Sequence, residues 1–366
     1  MTIDFVDLKR QDKIYKKELM QSLEEVVDNA SFIMGPEVEQ FEEEFAKFCN
    51  KKFCVSLNSG TDALEFALVA HGIKPGDEVI TAPNSYFSSA MIITKIGATA
   101  VFAEVDQKTY TITAKNIEKK LTKKTKAIIP VHLYGQATDM DPIIKLAKEN
   151  NLVIVEDCCQ AHGTLYKGKR LPYTTTGAYS FYPGKNLGAF GDAGAIVTDD
   201  EKIKDLLELL RNDGSRVKYE HKIMGYKSRL DTIQAAILNV KLPHLEMFVT
   251  KRKDAAKKYK TLLSDVKNIV LPYEAEHGTH AYHIFAIQCE KRDKLREFLK
   301  NSGVTTVIHY PKPIHLQEPY LKMGFKKGDF PITEELAERT LSIPIFPEIL
   351  DEEIEFISAK IHEFYS

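Results

Sequence analysis

Short apolar runs alternate with helical patterns between residues 50 and 200, and this alternation predicts β-α repeats around a mainly parallel sheet. Several of the runs are almost entirely apolar, which is typical of strands covered on both faces. The last two are joined by a loop too short for a helical crossover, so we expect them to be antiparallel or to join different parts of the sheet. The predicted strands are 53–57, 78–82, 100–105, 127–132, 152–156, 177–182 and 193–198.

Helical periodicity dominates beyond residue 200 and predicts helices over 203–211 and 232–259. Pro243 falls inside the longer stretch and should kink or break it. We place a domain boundary there, between a large α/β domain of residues 1–245 and a small α+β domain of residues 246–366. The small domain is predicted to have strands near 281–288 and 304–308 and helices at 292–301 and 351–365. A helix within residues 1–30 is expected to pack back on the small domain.

Composition and charge exclude several classes of protein. The chain has 366 residues, 43% hydrophobic and 28% charged, as in an ordinary globular protein. A formal net charge of −2 offers no global positive field for nucleic acid. No apolar run is long enough to span a bilayer, and no secretory signal is visible. The five cysteines are irregularly spaced, so we expect no metal site and a reducing, cytoplasmic setting.

Lys185 is the first candidate for chemistry. It follows a predicted strand and lies in the glycine-rich segment Gly184-Lys185-Asn186-Leu187-Gly188. The glycines allow the backbone of this segment to approach a ligand closely. An amine there can form a Schiff base if its pKa is lowered. Taken alone, the same pattern also fits a solvated loop lysine.

Asp157 ends the predicted strand 152–156, and an acid at the carboxyl end of a parallel strand points into the crevice where ligands bind. A carboxylate in that place can keep a pyridine nitrogen protonated, which makes pyridoxal phosphate an electron sink. A helix N-cap aspartate is the alternative.

A phosphate cradle is predicted at Ser59-Gly60-Thr61, where a strand end runs into a helix whose free amides attract anions. Tyr86 follows the next predicted strand and can stack on a flat ring, although core packing would also explain it. Each of these signals is modest. Together, cradle, aromatic, acid and lysine stand in order at the ends of successive strands, and a pyridoxal phosphate site uses all four.

The chain resembles the nucleotide-sugar aminotransferases of the aspartate-aminotransferase fold. The most specific segments are 156–163 and 180–188, and the similarity extends from 32–36 to 342–347. The resemblance implies fold type I, with a seven-stranded, mostly parallel sheet. It also implies a Schiff base at Lys185, Asp157 on the pyridine nitrogen, Gln160 on the phenolic oxygen, Tyr86 on the ring face, and Gly60, Thr61 and Ser180 on the phosphate.

The family works as a homodimer whose sites are completed by the partner, and segment 225–229 resembles that contribution. Lys227 stands where the family usually has an asparagine that reaches the cofactor phosphate of the partner. The substrate contacts expected by resemblance are His162, Tyr182, Tyr219, Arg229, His309 and Tyr310. For His162 a core position is an equal alternative, and turn structure alone would also explain the proline-bracketed loop 309–315.

The implied reaction is transfer of an amino group to a nucleotide-linked keto sugar, with L-glutamate as donor by family habit. Segment 218–231 is more similar to the branch that aminates C-3 of dTDP-linked 3-keto-6-deoxyhexoses than to the C-4 branch, which uses UDP-, dTDP- or GDP-4-keto sugars. Sugar dehydratases of the family carry histidine in place of Lys185. A non-catalytic regulator that binds the cofactor or a sugar is the alternative from another class, but no DNA-binding segment is apparent.

Overall fold

The computed structural model describes residues 2–366 of the chain. The helices in this range are α1 (Leu8–Asp28), α2 (Pro36–Phe48), α3 (Gly60–Ala70), α4 (Ser88–Lys95), α5 (Ala114–Glu118), α6 (Met140–Glu149), α7 (Glu201–Arg211), α8 (Thr232–Lys241), α9 (Leu245–Leu262), α10 (Arg292–Asn301), α11 (Glu318–Leu321), α12 (Pro331–Arg339) and α13 (Asp351–Tyr365). None of them is long and apolar enough to cross a membrane.

The strands in the same range are β1 (Phe53–Leu57), β2 (Glu78–Thr81), β3 (Thr99–Phe102), β4 (Thr125–Ile129), β5 (Val153–Ile154), β6 (Glu156–Asp157), β7 (Leu165–Tyr166), β8 (Lys169–Arg170), β9 (Thr176–Ser180), β10 (Gly194–Thr198), β11 (Ser215–Val217), β12 (Glu220–His221), β13 (Ile269–Val270), β14 (Phe285–Cys289) and β15 (Thr340–Ile343). All seven strands predicted between residues 50 and 200 are present, with ends shifted by a few residues.

The central sheet has seven strand positions. Two four-stranded halves, β1-β10-β9-β6 and β3-β2-β4-β5, meet where β5 and β6 continue one another. Val155, between them, donates its backbone hydrogen to Ile128 O at 3.1 Å, and Val131 pairs in parallel with Asp157. Only β10 runs against its neighbours. The expected seven-stranded, mostly parallel sheet is confirmed, as is the antiparallel pairing of the last two strands.

The helix predicted over 232–259 is interrupted, as Pro243 required. α8 ends at Lys241, a 3₁₀ turn covers Leu242–His244, and α9 continues from Leu245. The strand predicted at 304–308 is wrong: Val304 and Val307 make only isolated bridges, to Ile3 and Ser342. The predicted strand near 281–288 is present as β14, and its partners in the three-stranded sheet are β13 and β15, which were not predicted.

The N-terminal helix contacts both halves of the chain. Tyr15 and Leu19 of α1 pack against Ile237 and Phe248 of α8 and α9. Near its start, Arg10 makes two hydrogen bonds to Glu353 of α13, at 2.8 and 2.6 Å. Helix α1 therefore lies on the long helical connection as well as on the C-terminal helix, and the division at residue 245 stays a prediction.

Candidate active site

A cavity of about 440 Å³ opens at the carboxyl ends of the parallel strands. Much of its lining comes from residues at or after the ends of β1, β2, β4, β6 and β9, which is where ligands bind in open α/β sheets. Nine of the predicted site residues line it: Gly60, Thr61, Tyr86, Asp157, Gln160, Ser180, Tyr182, Lys185 and Tyr310.

The start of α3 forms one end of the cavity. Ser59 caps the helix by accepting from the Asp62 backbone at 3.1 Å, and the Thr61 and Ser88 hydroxyls lie 2.9 Å apart. A Cβ at Gly60 would come within 2.5 Å of the Ser180 Cβ and 3.0 Å of Cys159 Sγ. Glycine therefore leaves the backbone amides of the helix start open towards the cavity, and hydroxyls surround them. This arrangement suits a phosphate group.

Asp157 lies at the bottom of the cavity and is 4% exposed. Its Oδ2 accepts a hydrogen bond from Ser89 Oγ at 2.9 Å, and its Oδ1 accepts from the Cys159 backbone at 3.1 Å. Both of these donors are neutral, so the carboxylate keeps its negative charge available for a cationic group. A protonated pyridine nitrogen is such a group.

Lys185 lies in the turn after β9, where its backbone N–H donates to Tyr182 O at 2.8 Å. The turn closes tightly at Gly188, whose added Cβ would lie 2.3 Å from Pro183 O. Burial of the amine lowers the pKa of Lys185, although the neighbouring Cys159 and Asp157 act in the opposite direction. A lowered pKa increases the fraction of neutral amine, which is the nucleophilic form.

Gln160 and Tyr310 are linked at the side of the cavity. Gln160 Nε2 donates to the Tyr310 hydroxyl at 2.9 Å, and Gln160 Oε1 accepts from the Tyr134 backbone at 2.8 Å. The ring of Tyr310 lies 6.0 Å from that of Tyr86, which is 58% exposed. Tyr310 belongs to the loop 309–315, so this loop reaches the strand ends of the central sheet.

His162 is placed away from the cavity lining and is 1% exposed. Its ring lies 5.2 Å from Tyr179 and 5.6 Å from Phe181, and burial together with the charge of Lys185 lowers its pKa to about 3. Of the two interpretations left open by the sequence, these surroundings favour a core histidine. His309 is also off the lining: its Nδ1 lies 2.9 Å from Ser342 Oγ, and burial and Lys185 lower its pKa to about 4.

Three predicted residues lie on the segment 215–229, outside the cavity of their own chain. Tyr219 is 82% exposed in the β11–β12 hairpin. Arg229 donates to Asn212 Oδ1 at 3.0 Å. Lys227 lies 3.8 Å from Asp213, and its side chain is 68% exposed. Within one chain the structure does not bring these residues to the site, so their roles stay predictions about a partner subunit.

Several lining residues were not predicted from the sequence, namely Ser85, Ser88, Ser89, Cys159 and Asp192. Three of them are serines that surround Tyr86 just after β2. Ser85 lies in the loop after β2, whereas Ser88 and Ser89 begin helix α4, and the local sequence pattern does not mark them as site residues.

One buried group elsewhere has the spacing of a metal site: His132, Glu156 and Cys158. Glu156 already accepts from His132 Nε2 at 2.9 Å, and His132 Nδ1 accepts from the Thr138 backbone at 3.0 Å. Both histidine nitrogens are thereby engaged, with the proton on Nε2. Burial raises the pKa of Cys158 well above its usual value, which opposes the thiolate that a metal needs. We interpret this group as a structural hydrogen-bond network.

Comparison with known proteins identifies the family. Residues 13–362 match the DegT/DnrJ/EryC1/StrS aminotransferase family, and the chain belongs to it. It is 42% identical over 368 residues to a pleiotropic regulatory protein of Geobacillus stearothermophilus, covering 100% of this chain and 99% of that one. It is 41% identical to dTDP-3-amino-3,6-dideoxy-alpha-D-galactopyranose transaminase of Aneurinibacillus thermoaerophilus, covering 99% of each.

Solved structures agree with this assignment. The structure of DesV from S. venezuelae, in complex with a ketimine intermediate, superposes with a TM-score of 0.98 at 40% identity and covers 100% of this chain and 99% of that chain. A similar structure from Bacillus subtilis holds the cofactor PMP, and further relatives bear the names of UDP-linked sugars. The chain is thus a sugar aminotransferase that depends on pyridoxal phosphate.

The residues present fit this cofactor. The cradle at Gly60 would be filled by a single Cβ, the buried Asp157 carboxylate accepts hydrogen bonds from two neutral donors, and the pKa of Lys185 is lowered. The Gly60 cradle would hold the phosphate, Asp157 the pyridine nitrogen and Lys185 the aldehyde carbon of a bound cofactor.

Proposed function

We propose that the protein transfers an amino group from L-glutamate to C-3 of a dTDP-linked 3-keto-6-deoxyhexose. The observation that carries the transfer chemistry is the meeting of Lys185 and Asp157 in one cavity beside the Gly60 cradle. The sugar is supported by similarity, because a relative at 41% identity over nearly the whole chain is a dTDP-3-amino sugar transaminase.

In this proposal each cavity residue has a separate role in catalysis or in cofactor binding. The bound cofactor supplies an electron sink for the negative charge that develops at the donor's α-carbon. Asp157 holds the proton on the ring nitrogen, and Lys185 takes and returns the proton at the α-carbon as general base. The remaining cofactor contacts are Gly60, Thr61 and Ser180 at the phosphate, Tyr86 on the ring face and Gln160 at the phenolic oxygen.

The sugar is proposed to lie between the central sheet and the loop 309–315. Tyr182 and Tyr310 line that side of the cavity. His309, adjacent to Tyr310 and fixed by Ser342, is positioned to contribute as a neutral imidazole, since its pKa is lowered to about 4. Because Nδ1 is engaged by Ser342, Nε2 is the nitrogen left to donate or accept one hydrogen bond with a sugar hydroxyl.

A homodimer working in the cytoplasm is part of the same proposal. The hairpin segment exposes large apolar side chains, with Tyr219 at 82% and Met224 at 94%, and such a patch is typical of an interface. A partner subunit covering it would bring Tyr219, Lys227 and Arg229 towards the site of its neighbour. Lys227 would then meet the cofactor phosphate with a charge-assisted hydrogen bond.

The experiment is a substrate panel. Purified enzyme loaded with pyridoxal phosphate would be incubated with glutamate and, separately, dTDP-3-keto, dTDP-4-keto and UDP-3-keto sugars. We expect the 3-amino product from the dTDP-3-keto sugar with the highest kcat/KM. Product from the 4-keto sugar alone would contradict amination at C-3. A preference for the UDP-linked sugar would contradict the proposal that the substrate carries dTDP.

A regulatory role is the second candidate, because one relative at 42% identity is named a pleiotropic regulatory protein. The two candidates differ in the response to an amino donor. An enzyme loses its visible absorption band when glutamate converts the cofactor, whereas a sensor that only binds the cofactor keeps it.

A further inference from the structure

Two buried serine hydroxyls form a hydrogen-bonded series that ends on Asp157, and the roles assigned so far do not use them. Ser89 Oγ is 2.9 Å from Asp157 Oδ2, and Ser85 Oγ is 2.8 Å from Ser89 Oγ. Ser85 is 4% exposed and Ser89 is 2% exposed. Because hydroxyls as buried as these must find partners inside the protein, the contacts are part of how the site is built.

The donor and acceptor in each of these two hydrogen bonds can be assigned from the carboxylate of Asp157. An ionised carboxylate can only accept hydrogen bonds, so Ser89 must donate its single hydroxyl proton to Asp157. The Ser89 oxygen is then left to accept from Ser85. The three side chains form a one-way series in which Ser85 orients Ser89 and Ser89 orients the carboxylate.

Asp157 is held by a second donor on its other oxygen. The Cys159 backbone N–H donates to Oδ1 at 3.1 Å, from the loop after β6, while Ser89 belongs to helix α4. Two donors from separate parts of the chain, one on each oxygen, fix the plane of the carboxylate. Each oxygen retains capacity to accept a further hydrogen bond from a group in the cavity.

We propose that Ser89, oriented by Ser85, is a positioning residue that fixes the Asp157 carboxylate for contact with the ring nitrogen of the cofactor. The inference rests on the role given to Asp157 in the proposed function and deepens it. Ser89 acts through Asp157 and not on the substrate. Without the hydroxyl, the carboxylate is held on one side only, rotates away from the optimal contact, and leaves the ring nitrogen less fully protonated.

The test uses the loaded enzyme with cofactor labelled with ¹⁵N at the ring nitrogen. In Ser89→Ala we expect the ¹⁵N chemical shift to move towards that of an unprotonated ring and the rate of the glutamate half-reaction to fall about tenfold, the scale of one hydrogen bond to a charged group. Ser89→Thr, which keeps a hydroxyl, should restore both. Ser85→Ala should move both in the same direction by a smaller amount.

Thr94→Val is the matched control, because it removes a hydroxyl from the same helix that bonds to Tyr320 and not to Asp157. It should leave the ¹⁵N shift and the half-reaction unchanged. An unchanged ¹⁵N shift in a folded Ser89→Ala overturns the proposal, and if that variant does not fold, an unchanged shift in Ser85→Ala does so. Neither readout needs a nucleotide sugar, so an error in the proposed sugar substrate would leave this test intact.

Discussion

The substitution Glu156→Gln tests the buried hydrogen-bond network next to Asp157 in the sequence. Glu156 is fully buried beside Asp157 on β6, and four donors converge on its carboxylate. His132 Nε2 and the Tyr173 backbone meet Oε2 at 2.9 and 3.0 Å, while the Thr174 backbone and its hydroxyl meet Oε1. Burial alone would raise the pKa of Glu156, but these hydrogen bonds from His132 and Thr174 outweigh it and lower the pKa.

Glutamine keeps one acceptor oxygen and replaces the other by an amide group that only donates. If the amide group is turned towards His132 and Tyr173, two donors lose their acceptor. If it is turned towards Thr174, the Thr174 hydroxyl can rotate and accept from it, so only the Thr174 N–H loses its acceptor. The amide will take the orientation that leaves one buried donor without a partner, so the free energy of unfolding should fall by about 1–3 kcal/mol. Glu44→Gln is the control: it removes an exposed ion pair with Lys47, and exposed pairs contribute about 1 kcal/mol or less.

The assay is urea unfolding of wild type and both variants, followed by circular dichroism at several pH values. Because the folded-state pKa of Glu156 is lowered, its contribution is present above the unfolded pKa of about 4.3 and is lost as the pH falls through the folded value. The difference between wild type and Glu156→Gln should therefore be full at pH 7 and narrow below about pH 4.3. Equal stability at pH 7, or a difference that does not change with pH, would refute the reasoning.

Four further predictions concern the cofactor site. Lys185→Ala should abolish amino transfer with an unchanged circular dichroism spectrum, and substantial turnover would reject Lys185 as the covalent group. Asp157→Asn should retain some cofactor but lose about 10²–10³-fold in kcat, so a near-normal kcat would leave Asp157 only a structural role. Gly60→Ala puts a Cβ 2.5 Å from that of Ser180, and equilibrium dialysis should show weaker pyridoxal phosphate binding than in wild type. Lys227→Ala should weaken that binding in a salt-dependent way while Lys227→Asn largely preserves it; an unchanged dissociation constant at low and high salt would show that Lys227 does not contact the phosphate.

The sheet was predictable because its strands are covered on both faces and therefore appear as continuous apolar runs. The prediction of a strand at 304–308 failed because it relied on local composition alone. Val304 and Val307 have high β-propensity, but they pair only at isolated bridges, and whether a run of β-formers finds a full partner strand depends on contacts distant in sequence.

The residues of the candidate site likewise differ in whether the local sequence identifies them. Lys185, Asp157 and Gly60 were found because each stands at the end of a predicted strand, and the ends of parallel strands meet at one edge. Ser89 was missed because its partner Asp157 is 68 residues away along the chain, and nothing in the local pattern around a serine on a helix identifies a distant carboxylate. His162 could not be assigned for the opposite reason, since its position near the motif does not determine which way its ring points.

The two halves of the site depend on different parts of the molecule. The cofactor half is formed by residues at the ends of β1, β2, β6 and β9, which belong to one rigid sheet. The proposed substrate half includes Tyr310 from the loop 309–315 and, in the proposed dimer, exposed residues of segment 215–229. Substitutions in the substrate half can therefore change the sugar that is accepted without disturbing the sheet that holds the cofactor. This separation gives a physical reason why relatives of one family, with the same transfer chemistry, bear the names of both dTDP- and UDP-linked sugars.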